Sequence, residues 1–231
     1  MNAVRTAPTV ALLGLFGLLA GLAAADDLGR AGWVTGVAYG VIGWIVLNRA
    51  LSRTSDRFGP ADWVTLARAV LVGGVTALAA DALWRPVPVV ALVGMAVVAL
   101  LLDAVDGVVA RRTDTASGLG ARFDMEIDAF LLLVLSGYVA RTAGAWVLAI
   151  GAMRYVFVAA GWALPWLRGR LPARYWRKVV AATQGIVLVI AASGVLPEWL
   201  ATAALVVALG LLVESFGRDV AWLWRRRRVT V

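Results

Sequence analysis

The 231 residues contain no cysteine and no histidine. Disulfides, thiol nucleophiles and thiolate metal sites are therefore excluded, and so is the side chain most often used as a general base near neutral pH. Charge is scarce as well: 16% of the residues are charged against 62% hydrophobic, a balance no soluble domain shows. Acid–base or metal chemistry in this chain falls to aspartate and glutamate.

What is present is a series of long apolar runs separated by short polar turns, which predicts an all-α, polytopic helical membrane protein. Residues 9–25 form the first run. It is followed by Asp26, Asp27 and a second membrane-length segment, so it reads as an uncleaved span rather than a signal peptide. The second span, residues 32–47, ends in Asn48, Arg49, Arg53 and Arg57. A polar stretch with the breaker Gly59-Pro60 then marks a boundary. The chain is thus predicted to have two spans over residues 1–58, six over 59–224 and a basic cytosolic tail over 225–231. In the six-span part, Asp62 is expected to cap a helix opened by Trp63. Further spans are expected over 86–109, from the acidic stretch to about Arg141, over 143–164, after the loop 168–178, and from about Glu198 to Phe216.

The chemistry concentrates between Asp103 and Asp128. Asp103, Asp106, Gly107 and Arg111 precede a short polar turn, and Gly120, Asp124 and Asp128 follow it. Helical spacing pairs Asp103 with Asp106 and Asp124 with Asp128, and a short turn makes the two helices neighbours. Four carboxylates would then form a cup whose mutual repulsion a hard dication relieves. All-oxygen ligands favour Mg2+ or Mn2+, with Ca2+ also open, over zinc or iron. Magnesium keeps positions for phosphate oxygens, which points to phosphoryl chemistry. A structural ion cluster, or a cation transporter or channel lined by the same acids, is the alternative. Gly107 lets a backbone or ligand approach closely. Arg111 offers a fork to phosphate or snorkels to headgroups. Arg154, well inside a span, either binds an anion or pairs structurally.

The spacing Asp, two residues, Asp-Gly, two residues, Ala-Arg, eight residues, Gly, three residues, Asp, three residues, Asp resembles the signature of the CDP-alcohol phosphotransferases at every position. The resemblance implies a membrane enzyme in which an alcohol attacks the β-phosphorus of a CDP-linked donor such as CDP-diacylglycerol, releasing CMP. Only this resemblance implies that the six-span part, residues 59–224, is a catalytic core and the first two spans an addition. It implies that Asp103, Asp106 and Asp124 hold one or two Mg2+ or Mn2+ ions. Asp128 would take the proton of the attacking hydroxyl and also touch metal, and Gly107, Arg111 and Gly120 would lie against the nucleotide. Asp62, Thr65 and Arg68 resemble the element that helps to hold the nucleotide, although many members have asparagine where Asp62 stands. Lys178 matches the first of two lysines seen in glycerophosphate-using relatives, but Val180 replaces the second, which puts phosphatidylglycerophosphate synthesis in doubt. The clustered arginines lean toward a phosphorylated acceptor, with Arg154 and Lys178 as candidates for its phosphate. A homodimer is implied too, and an inactive family-like assembly partner is a third reading.

The net charge of +8 is not a nucleic-acid signal, because its distribution follows the turns. With about eight spans, eighteen arginines and lysines fall on the side of the acidic cup and both termini, against Arg30, Arg85 and Arg141 on the other. The positive-inside rule predicts a plasma-membrane protein with cup and termini cytosolic. The final arginine run is expected to bind anionic lipid headgroups.

Overall fold

The structure is a computed structural model that describes residues 2–26, 28–53, 59–113, 118–169, 171–172 and 174–227, with the side chains of residues 2–5, 26 and 106–113 outside the description. The described residues form helices α1 (Asn2–Asp26), α2 (Arg30–Leu51), α3 (Pro60–Asp81), α4 (Val89–Thr113), α5 (Gly118–Ala143), α6 (Leu148–Ala163), α7 (Tyr175–Ser193) and α8 (Glu198–Arg227). Short 3-10 turns at Ala145–Val147 and Pro165–Arg168 flank α6, and no strand occurs among the described residues. Among the described residues six helical segments are long and apolar enough to cross a bilayer. Within the described side chains α4 contributes a shorter apolar stretch, Val89–Val105, and α5 carries the acids Asp124, Glu126 and Asp128 in its first half. The chain is a polytopic helical membrane protein.

Two ends differ from expectation. Helix α3 opens at Pro60, not Trp63; Gly59 is its N-cap and Asp62 is the third helical residue, whose Oδ2 accepts the Gly59 N–H at 2.6 Å. Proline at the first helical position, where an amide would be orphaned anyway, sets this start, and the acid reaches back as in a capping box. Helix α8 does not stop near Phe216 but runs to Arg227. Arg225, Arg226 and Arg227 form its last turn, and residues 228–231 of the expected basic tail lie outside the described ones. Basic residues favour the negative end of the helix dipole, and Arg226 lies over the Trp222 ring at 4.3 Å.

The chain divides into two compact units, Met1–Val134 and Leu135–Val231. In the first, α1 and α2 pack on α3, and α3 packs on α4. The stripe Gly32, Gly36 and Gly40 on α2 is buried. A methyl at Gly36 would sit 2.9 Å from Leu19 and 3.3 Å from Ala77, and one at Gly40 2.8 Å from Leu15, so the stripe is filled from within the unit, where small residues let helices approach in the absence of a hydrophobic driving force. Tyr39 donates to the Ala69 carbonyl at 2.9 Å and stacks on Phe130 at 5.4 Å. Phe123 packs against Ala7, Leu47 and Leu66, which fixes the start of α5 just before Asp124.

In the second unit α7 packs on α8. The buried Gln184 donates from Nε2 to the Ala208 carbonyl at 2.9 Å, and Gly194, in the left-handed region at φ 66°, ends α7 as glycine alone does without strain. The extension of α8 past Phe216 gathers the preceding loop: Arg177 meets the buried Asp219 at 3.4 Å and also donates to the Pro172 carbonyl, while the Trp166 and Trp224 rings meet edge to face. Removing the Asp219 acceptor takes one charged hydrogen bond from this corner, so Asp219→Ala is expected to cost about 1–3 kcal/mol. It is also expected to speed protease cleavage of the detergent-solubilised protein just ahead of α7, which starts at Tyr175, inside the stretch 168–178 expected to be a loop. An unchanged melting temperature and cleavage rate would show that α8 does not hold the loop.

Candidate active site

The site is built in the first unit from α3, α4 and α5. Asp62, Thr65 and Arg68 follow at three-residue intervals on α3 and are all buried. Thr65 donates to the Ala61 carbonyl at 3.2 Å, returning its hydroxyl to its own helix. Arg68 is only 1% exposed, and its guanidinium points at the acids of the other two helices. It contacts Asp103 of α4 at 3.1 Å and pairs with Asp124 and Asp128 of α5.

Asp103, Asp124 and Asp128 each offer a carboxylate oxygen, and these oxygens lie within 4.8 Å of one another. Their side chains are 42%, 33% and 38% exposed, so the cup has a buried cationic floor and an accessible anionic rim. Three of the four predicted acids therefore converge. The fourth, Asp106, lies on α4 with its side chain outside the description, as does that of Arg111, and the surroundings of Gly107 on the same helix are likewise not described. Gly120 sits in the first turn of α5, one turn before Asp124.

The donor set suits a hard dication: carboxylates only, from two helices, within a few ångströms. Three acids against one guanidinium also leave the cup anionic, so a cation is still wanted. Bound there by Asp103, Asp124 and Asp128, a dication would supply charge neutralisation for phosphate oxygens.

The candidates for the acceptor phosphate belong to the second unit. Arg154 is partly buried on α6, and Lys178 is exposed on α7. Two neighbouring cations are committed to protein groups: Arg168 donates to the Gly161 carbonyl at 2.8 Å, and Arg177 is held by Asp219 and Pro172. Lys178 is exposed in the first turn of α7.

The sequence placed Arg68 beside a nucleotide by resemblance, but not among the acids. The available signal was charge: a span carrying one arginine needs an acid partner, and the cup is the densest acid cluster in the chain.

The family model for CDP-alcohol phosphatidyltransferase matches residues 59–213, well over half of the chain. The chain belongs to the CDP-alcohol phosphatidyltransferase family. The reaction of a CDP-alcohol phosphatidyltransferase is phosphotransfer from a CDP-alcohol, generally with divalent metal. The match begins at the N-cap of α3 and ends within α8, so it spans every helix that contributes an acid to the cup. Neither a curated protein nor a solved structure matches the chain.

Proposed function

We propose that this phosphatidyltransferase moves a phosphatidyl group from CDP-diacylglycerol to an alcohol in phospholipid biosynthesis, with release of CMP. The observation that carries this reading is the convergence of Asp103, Asp124 and Asp128 within 4.8 Å on two helices inside the family match. Asp103, Asp106 and Asp124 hold Mg2+ or Mn2+, which offsets charge on the donor pyrophosphate. Asp128 orients the acceptor hydroxyl and takes its proton as the new phosphodiester bond forms and the bond to CMP breaks. Asp62, Thr65, Gly107, Arg111 and Gly120 line the nucleotide side, and Arg154 and Lys178 receive a phosphorylated acceptor. The protein works as a homodimer in the cell membrane with the cup on the cytosolic side, which the asymmetry of arginine and lysine between the two faces supports. A buried guanidinium in the cup argues against the cation-channel alternative, since a fixed positive charge in the path raises the barrier to a cation.

The test is CMP release from CDP-diacylglycerol by the purified protein in the presence of Mn2+ and a panel of alcohols: inositol phosphate, glycerol phosphate, serine and a hydroxylated lipid. CMP is expected with at least one acceptor. Chelation with EDTA is expected to lower the rate by about 10²-fold or more, and Mn2+ or Mg2+ to restore it. Metal flux into vesicles without CMP would overturn the assignment.

A further inference from the structure

We infer that Arg68 is the resident counter-cation of the acidic cup and that the divalent ion, on binding, must displace it. The inference rests on the proposed metal role of the acids but concerns a residue given no such role. One guanidinium engages Oδ1 of all three described carboxylates, which are the groups a dication would take. A dication entering the cup would therefore meet the like charge of the guanidinium on the oxygens it needs. Burial at 1% exposure also denies Arg68 a route to water other than through the cup. Two cations among the same few oxygens, in a partly desolvated site, repel each other far more than they would in water.

The arrangement does two things. Without metal, Arg68 keeps α4 and α5 drawn toward α3 where naked carboxylates would push them apart, so the cup is assembled before the ion arrives. With metal, the same residue lowers the affinity that the acids alone would give. An ion held less tightly is also one that can be exchanged.

Arg68→Gln separates these effects in the full-length protein in detergent, with Mn2+ binding followed by electron paramagnetic resonance and melting followed with and without EDTA. The variant is expected to bind Mn2+ roughly tenfold or more tightly than wild type. It is expected to melt lower than wild type in EDTA and to gain more than wild type when Mn2+ is added. Arg68→Lys keeps the charge but loses the planar fork, so it is expected to show a smaller rise in Mn2+ affinity, and it serves if Arg68→Gln does not fold. Equal or weaker Mn2+ binding by these variants would overturn the inference while leaving the metal-dependent reaction standing. Absence of Mn2+ binding by the wild type would instead remove the metal reading itself, and the inference with it.

Discussion

Asp128→Asn is expected to abolish CMP release, with a loss of about 10²–10⁴-fold or more, while the protein inserts and purifies as wild type. The amide has nearly the carboxylate's shape, and it keeps an oxygen facing Arg68, which Asp128 now pairs with. What it loses is basicity. Neither histidine nor cysteine exists anywhere in the chain to take over the proton, so no nearby substitute base of those types can rescue the step. Asp124→Asn is expected to fall as far at low Mn2+ but to recover in part as Mn2+ is raised, because a lost ligand weakens metal binding whereas a lost base does not. Turnover at every metal concentration is the measurement. Near-normal rates for Asp128→Asn would remove its assigned role as base, and full recovery with excess Mn2+ would leave it a metal ligand alone. A monodisperse elution profile and unchanged helical circular dichroism separate loss of chemistry from loss of fold.

The legible part of this protein was its one-dimensional part. Membrane-length apolar runs announce helices because every backbone polar group in lipid must be satisfied within the segment. Aspartates at helical spacing announce a shared face. Asp103 and the Asp124–Asp128 pair were placed together on those grounds, and they do converge. The less legible part was which element answers each charge. Arg68 precedes Asp103 by thirty-five positions and Asp128 by sixty, and nothing in helical periodicity selects its partner. Asp62 was misread as an N-cap because it precedes an apolar run, while the cap is Gly59, three residues earlier and followed by Pro60, with Asp62 serving that start from inside the first turn. The end of α8 was misplaced because hydropathy falls after Phe216, although Asp219 and Leu223 are buried at one-turn spacing and continue the same packed face. Amphipathic helix at the edge of an apolar run is continuous with it, and only packing reveals how far it goes.

Asp81 is the contact by which the N-terminal helices grip the site-bearing helix. It is the last residue of α3, almost fully buried, and its two oxygens accept the N–H groups of Gly29 at 2.5 Å and Gly32 at 2.6 Å. Those amides belong to the N-cap and first turn of α2, where N–H groups have no partner inside their own helix and the dipole favours an anion. No side chain on α2 caps it, so the cap comes from α3. Asp81→Ala is therefore expected to orphan one buried and one part-buried donor and remove a helix cap together, for about 3–5 kcal/mol of stability. Asp81→Asn, which keeps one acceptor oxygen, is expected to lose less. Gly32→Val attacks the same contact from the other side: a Cβ there would lie 2.9 Å from the Asp81 carboxyl and 2.7 Å from Leu28. Leu28 can turn away, but the carboxylate is pinned by its two donors, so overpacking of about 1–3 kcal/mol is expected. Because Gly32→Val and Asp81→Ala break one contact, their double mutant should cost clearly less than the sum of the two. Melting temperatures of the three variants in one detergent decide it. Additive losses, or an Asp81→Ala protein as stable as wild type, would mean that α1 and α2 are held on α3 by the glycine stripe alone.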